Sequence, residues 1–427
     1  MSVGRLQPAL PFPVPDPGTA AGGDGVWVGS LDVNDVKADQ DLQLEGGDRF
    51  KRARLLIWDC DQVRGFIDLR VDQGKIAAGE LRSTMASLPR RKSSTPEASA
   101  VPMSVVVCTR DRPDHLRRCL AALLTLQHPQ FEIIVVDNAP TTDASRVIVE
   151  SLADKGVRYL RVDRPGLSRA RNAGVRAARY CHLAFTDDDV VVDSRWLLAL
   201  CQGFAVDQDV GCVTGLVATG QLESRSQRYF DHRAAWAGNT EVTVFRLHDP
   251  PVGVPLFPFQ FGAYGTGANF AAKRSLLFEL GGFDEALGVG SPTGGGEDID
   301  WFVRVVLNDH ALLYQPDAVV WHNHRSSEDA LSAQLDNYGL GLGAVLAKLA
   351  GNPKARRAMA PLVGRAVVHT WRLLTDQGNS AGKVGPGNAM REFRGILKGP
   401  WALRRARRHG PSRPLHGESV SGSQRWT

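Results

Sequence analysis

A chain of 427 residues has room for two or three domains and at least one fully buried core. Its hydrophobic fraction of 43% and charged fraction of 23% are ordinary for a globular protein, and no run approaches the ~18 apolar residues of a membrane-spanning helix. The net charge of +5 is modest and uneven, with Arg404, Arg405, Arg407, Arg408 and Arg413 clustered near Trp401. A nucleic-acid binder would spread such charge over a folded face with stacking aromatics, so no nucleic-acid partner is predicted. The cluster instead suits a tail for solubility or for peripheral contact with the anionic inner surface of a membrane. Met1–Gly18 has no basic segment followed by an apolar one, which predicts a cytoplasmic protein rather than a secreted one. The six cysteines form no CxxC pair and mostly interrupt apolar runs, so buried free thiols are expected, not disulfides or zinc.

In chain order, residues 1–88 read as a small β-rich module, with Ala53–Trp58 and Gly65–Val71 as neighbouring strands. Residues 89–101 are polar, basic and Pro-bounded, the composition of a linker. Residues 102–325 then alternate: strand Ser104–Cys108, helix from Pro113, strand Phe131–Val136, helix Thr142–Ala153, strand Val157–Val162. Helix Ser168–Tyr180, with Ser168 as N-cap, and strand His182–Thr186 complete the series. This alternation argues for a parallel α/β sheet, whose ligands bind beyond the carboxyl ends of the strands. Thr109, Asp137, Asn138 and Asp187–Asp189 all fall at those ends. Residues 326–427 read as a helical, basic extension in which Gly339, Gly341 and Gly343 interrupt an apolar run.

Asp187-Asp188-Asp189 carries the sharpest chemistry. Alternation along an extended segment would let Asp187 and Asp189 converge, and their hard oxygens suit Mg²⁺ or Mn²⁺ shared with a diphosphate. Flanking apolar triplets place these carboxylates at the edge of a core, which is costly without a cation. Gly294-Gly295-Gly296-Glu297-Asp298 opens an apolar helix, so Glu297 or Asp298 could act as a general base or merely favour the helix start. His322 and His324 follow a strand, where an imidazole could join the metal. Arg171 lies in a helix opening suited to an anionic diphosphate.

Taken in order, Cys108-Thr109-Arg110, Ile134–Asn138, Gly166…Ala170-Arg171-Asn172, Asp187–Asp189, Gly281–Asp284, Gly296-Glu297-Asp298 and Trp321-His322 resemble the family 2 glycosyltransferases. The resemblance covers about half the chain, Val101–His324. It implies a GT-A fold with a Rossmann-like mixed sheet, and metal-dependent, inverting transfer of a sugar from a UDP-, dTDP- or GDP-sugar to a glycan or lipid-linked acceptor. Synthesis of cell-envelope polysaccharide, glycolipid or another glycoconjugate is the implied setting. Thr109, Arg110, Asp137 and Asn138 would line the nucleoside pocket, and Arg171 would contact the nucleotide. Asp187, Asp189 and His322 would hold Mn²⁺ or Mg²⁺, Asp188 would face the sugar or nucleoside, and Asn269 would lie where donor and acceptor meet. Asp298 would be the base. Asp137-Asn138 departs from the family's usual Asp-Asp, which alters the hydrogen-bonding pattern offered to the base. The rival readings are an inactive nucleotide-sugar-binding module and a nucleotidyltransferase. The latter would carry a Gly-rich loop after the first strand, where Thr109–Pro113 has no glycine.

Overall fold

The computed structural model describes residues 5–10, 25–37, 40–90, 99–234, 237–365, 386–408 and 415. Most of Met1–Gly18, the linker at 91–98 and Arg413 therefore lie outside the described residues.

The N-terminal strands are β1 (Val26–Asp32), β2 (Leu42–Gln43), β3 (Arg52–Asp59), β4 (Gln62–Arg70) and β5 (Lys75–Ile76), followed by helix α1 (Ala78–Ala86). β3 and β4 form the expected antiparallel pair, turning through Cys60 in left-handed conformation, and β1 adds in parallel to β3. Trp27, Leu55, Ile57, Ile67, Leu69 and Leu81 form a core of their own. This sheet is anchored to the rest of the chain. The Val63 N–H donates to the buried Asp317 carboxylate (2.7 Å), and the Arg195 guanidinium stacks 4.4 Å over Trp58.

The larger sheet begins with β6 (Met103–Thr109), α2 (Pro113–Leu123), β7 (Phe131–Asn138), α3 (Ala144–Glu150), β8 (Val157–Val162) and α4 (Leu167–Ala177). It continues with β9 (His182–Asp187), β10 (Val190–Val192), α5 (Trp196–Ala205), β11 (Val210–Thr219) and α6 (Arg225–Ala234). β12 (Thr243–Phe245), β13 (Asn269–Lys273), α7 (Arg274–Glu279), α8 (Glu297–Leu307) and β14 (Ala311–His322) complete it. The strand order is β10-β14-β11-β13-β9-β6-β7-β8, with β12 also on β14. β8, β7, β6 and β9 are parallel, but β13 is antiparallel to both β9 and β11. The sheet is thus mixed, as the GT-A resemblance implied and simple alternation did not.

Residues alternate between two faces along each strand, so two cores form. Val105, Val107 and Val135 pack under Leu116, Leu120 and Trp196 on one side. Val106, Ile134 and Phe185 pack under Ala170, Trp301 and Phe302 on the other. Ser168 is not an N-cap: the helix starts a residue earlier, after Gly166 at φ +140°, and the Ser168 hydroxyl donates to the Leu287 carbonyl (2.8 Å). All six cysteines are free, but Cys60 and Cys181 are exposed rather than buried, because both sit in turns at strand ends.

The C-terminal helices are α9 (Glu328–Ala350), capped by Ser327, α10 (Pro353–Met359) and α11 (Pro386–Arg408). Gly339 and Gly343 do not interrupt α9. They let α11 approach so closely that a Cβ on either would collide with the carbonyl oxygens of Glu392 and Ile396. Among the described residues, no helix is long and apolar enough to cross a membrane.

Candidate active site

The carboxyl ends of β6, β7 and β9 open into one cleft, and β10 turns back beside β14 to form its far wall. Asp187 ends β9, Asp188 and Asp189 make the turn, and Val190 pairs with His322 across the antiparallel register. The turn breaks strict alternation, so each aspartate meets a different partner. Asp187 Oδ1 accepts from Arg171 (3.3 Å), Asp188 accepts from Thr109 Oγ1 (2.7 Å), and Asp189 Oδ1 lies 3.4 Å from His322 Nε2. Arg112 Nη1 bridges Asp188 and Asp189 at 3.2 Å each. The sequence reading did not single out Arg112; its signal was a guanidinium three residues beyond a strand that ends on the cleft.

Electrostatics separate the three carboxylates. Burial and the Asp189 charge push Asp188 up to about 6, against the opposing Arg112. Burial also raises Asp187, although Arg171 opposes it. Asp189 is buried too, but His322 and Arg112 outweigh that burial and hold it well below the usual carboxylate range. In turn, Asp189 raises His322 despite the burial of the ring.

Among the described residues, no three His, Cys, Asp or Glu side chains gather closely enough to enclose a metal ion. Asp189 and His322 nonetheless present a hard oxygen and an imidazole nitrogen side by side, a donor set that suits Mn²⁺ or Mg²⁺ completed by diphosphate oxygens. Asp187 is turned to Arg171. A cavity of about 220 Å³ opens beside this turn, lined by Asp188, Asp189, His115, Arg118, Gln221 and Asn323.

The nucleoside-side residues diverge. Asp137 is fully buried; one carboxylate oxygen accepts from Tyr159 Oη (2.9 Å) while the other has no hydrogen-bond partner. A buried acceptor left open in this way is uncommon in a folded chain and singles the position out. Asn138 does not offer itself in the same way. Its amide donates to the Arg164 carbonyl (3.0 Å) and its oxygen accepts from the Gly166 N–H (2.8 Å), so it shapes the 164–166 loop. This explains why an amide replaces a carboxylate here: the position needs a donor and an acceptor at once. Arg110 is half exposed near Asp111.

Three further positions are engaged inside the scaffold. Arg171, 2% exposed, binds Glu297 (2.9 Å), Asp187 and the Gly267 carbonyl (2.9 Å), and so tethers β9 to α8. Glu297 is correspondingly buried against Arg171; burial and the adjacent Asp298 push it up to about 7. Asn269 accepts from Trp196 Nε1 (2.8 Å) and donates to the Leu216 and Ala318 carbonyls (2.9 and 2.7 Å), stitching β13 to its neighbours. Asp298 alone of the acidic pair is partly open. Its oxygens accept from the Gly267 and Ile299 N–H groups, both at 2.8 Å. Gly267 must be glycine, since a Cβ would stand 2.9 Å from that of Asp298.

Residues 104–266 match the sequence model of glycosyl transferase family 2. The pre-mycofactocin glycosyltransferase of Mycobacterium tuberculosis is 29% identical over 227 residues, 52% of this chain and 43% of that one. The hyaluronan synthase of Pasteurella multocida is 27% identical over 238 residues, 51% of this chain and 24% of that one. The chain thus spans less than half the length of these curated relatives. A mannosyltransferase from Pyrobaculum calidifontis, solved with GDP-Man and Mn²⁺, superposes with a TM-score of 0.50 at 18% identity, covering 75% of this chain and 93% of its own. The α/β body of this chain thus has a GT-A fold and carries, over residues 104–266, the sequence pattern of the family 2 glycosyltransferases.

Proposed function

We propose that the chain transfers a sugar, with inversion, from a UDP-, dTDP- or GDP-linked donor to an acceptor hydroxyl in the synthesis of a cell-envelope polysaccharide, glycolipid or other glycoconjugate. One observation carries this reading. Thr109 lies opposite Asp137 and its unpartnered buried oxygen in the β6–β7 register and donates to Asp188, in the turn that meets His322, which supports one shared site. Asp137 would accept from an N–H of the base. Asp189 and His322, with Asp187, would hold Mn²⁺ or Mg²⁺, which when bound offsets the charge on the departing diphosphate. GDP-Man and Mn²⁺ in the Pyrobaculum structure are a donor and an ion of these classes.

Asp298 supplies the base. Two backbone N–H groups fix its carboxylate and leave a lone pair on each oxygen. It takes the proton of the acceptor hydroxyl as that oxygen bonds to the anomeric carbon; the bond from this carbon to the diphosphate breaks, its electron pair leaving on the phosphate oxygen. Because Glu297 is locked to Arg171, one carboxylate serves the acceptor, which favours single displacement over a covalent intermediate. Asp298→Asn should lower transfer by roughly 10²–10⁴-fold while calorimetry shows donor affinity retained. Undiminished turnover would remove Asp298 from the mechanism. Donor binding without transfer by the unaltered protein, with or without Mn²⁺, would instead assign an inactive binding module.

The acceptor side includes a peripheral contact with an anionic membrane surface. On α11, Met390, Phe393, Leu397 and Trp401 are all more than half exposed. At ~100° per residue they share an arc of about 80°, opposite the Gly395 and Gly399 face that packs on α9. Exposed Arg394 and Lys398 flank this stripe, and Arg404 and Arg408 extend it. Apolar insertion framed by basic side chains matches an anionic bilayer. α9 separates this surface from the site by a single helix, with Asn337 against Gly294 and Gly341 against Gly295, in the loop leading to Asp298. The geometry favours a lipid-linked acceptor. The full chain should float with phosphatidylglycerol-containing vesicles and not with phosphatidylcholine alone. Leu397→Glu with Trp401→Glu should abolish flotation, and unchanged flotation would refute the contact.

A further inference from the structure

A continuous series of hydrogen bonds runs from His322 into the N-terminal sheet. His322 Nδ1 lies 3.0 Å from His324 Nδ1, and His324 Nε2 lies 2.9 Å from Thr219 Oγ1. The Thr219 hydroxyl donates to Asp231 Oδ1 (2.6 Å), and Asp231 Oδ2 accepts from Arg54 Nη1 (2.7 Å). Arg54 also binds Asp68, its register partner across β3 and β4 (2.9 Å). The participants sit on separate elements: Thr219 ends β11, His322 ends β14 in parallel register with it, and Asp231 lies on α6. His324 is 5% exposed and packs its ring against Phe230 (4.6 Å).

Proton counting gives this series a direction. Asp231 is paired with the Arg54 guanidinium, which only donates, and the carboxylate of such a pair only accepts. Thr219 has one hydroxyl proton, which must therefore point to Asp231. Its oxygen then accepts, so His324 Nε2 must carry the proton. A neutral imidazole protonated at Nε2 has a bare Nδ1, so His324 Nδ1 accepts and His322 Nδ1–H donates. In a neutral His322 that leaves Nε2, the atom 3.4 Å from Asp189, as the nitrogen that can turn its lone pair to a cation.

We infer that Arg54, Asp231 and Thr219 are positioning residues that fix the tautomer and orientation of His322 for divalent-cation binding, and that this is a role of the N-terminal sheet. The inference rests on the reading of Asp189 and His322 as cation ligands. Nothing in the two histidines alone selects a tautomer; the selection comes from a guanidinium more than 160 positions earlier in the chain. Outer partners of metal-bound histidines commonly set affinity by 10–100-fold, which scales the expected effect here.

The test measures Mn²⁺ dissociation constants on the full chain by calorimetry and by electron paramagnetic resonance. Thr219→Val keeps the β-branched shape and removes the hydroxyl, so it should weaken Mn²⁺ at least about tenfold. Thr219→Ser, which keeps the hydroxyl, should restore affinity to within about threefold of the unaltered protein. Unchanged Mn²⁺ affinity in a folded Thr219→Val would overturn the relay while leaving the metal site standing. Failure of the unaltered chain to bind Mn²⁺, or binding indifferent to His322→Ala, would overturn both. Should Thr219→Val not fold, nitrogen-15 spectra of the unaltered protein read the tautomer directly: Nδ1–H on His322 and Nε2–H on His324 support the relay, and the reverse assignment refutes it.

Discussion

The Glu297→Gln substitution isolates what burial does to one carboxyl. Glu297 is 5% exposed and faces Arg171, Asp298 and the more distant Asp187. Burial comes first and Asp298 second in raising it, Arg171 opposes them, and the result is a rise from 4.5 to about 7. In the folded state the group keeps its proton where the unfolded chain has lost it. Its contribution to stability is therefore complete below about pH 4.5 and is lost as pH rises through about 7. At about 1.4 kcal/mol per pH unit, the loss is on the order of 3 kcal/mol. Glutamine keeps the shape and an oxygen for Arg171 but does not titrate. Urea unfolding of both proteins at about pH 5 and pH 8 should show the variant gaining on the unaltered chain by about that amount as pH rises. A constant difference would mean that the carboxyl titrates normally. A difference moving the other way would mean that the Arg171 pair dominates over burial and Asp298.

Two further substitutions probe the scaffold. Asn269→Leu removes three buried hydrogen bonds and leaves Trp196 Nε1 and the Leu216 and Ala318 carbonyls unpaired, so thermal denaturation should show a loss of about 3–6 kcal/mol. Retained stability with weakened substrate binding would return Asn269 to the substrate site. Gly343→Leu drives a side chain into the Ile396 carbonyl on α11; it should release that helix to limited proteolysis while leaving β6–β9 protected, and unchanged cleavage would refute the close packing.

Much of the framework was legible because it is local. Pro113 opens α2 as proline does at a first helical turn, and the apolar runs ending in Thr109, Asp137 and Asp187 are buried strands whose polar residues fall at the site. The roles of individual side chains were less legible, because they depend on residues far away in sequence. Whether Arg171 reaches outward or pairs with Glu297 is decided by where α8 docks, and whether Asn138 meets a base or the 164–166 loop by the path of that loop. The antiparallel β13 in a mostly parallel neighbourhood was equally hidden, since a five-residue strand with only Phe270-Ala271-Ala272 apolar carries no sign of direction. The role of Thr219 had no local signal: an isolated threonine at a strand end resembles any other.

The strand β14 holds Asp317, which receives the N-terminal sheet, and five positions later His322. That geometry bears on how such enzymes can be recombined. The sheet cannot be exchanged as a free-standing cassette, because its docking point and the imidazole it orients are built into the partner's own strand. A chimera joining this sheet to another GT-A body would need counterparts of Thr219, Asp231, Asp317 and His324 in that body. Without them the graft would leave Arg54 bound to Asp68 alone and His322 without a fixed tautomer. Lineages that keep or lose this sheet should therefore do so together with those four positions, as one inherited unit.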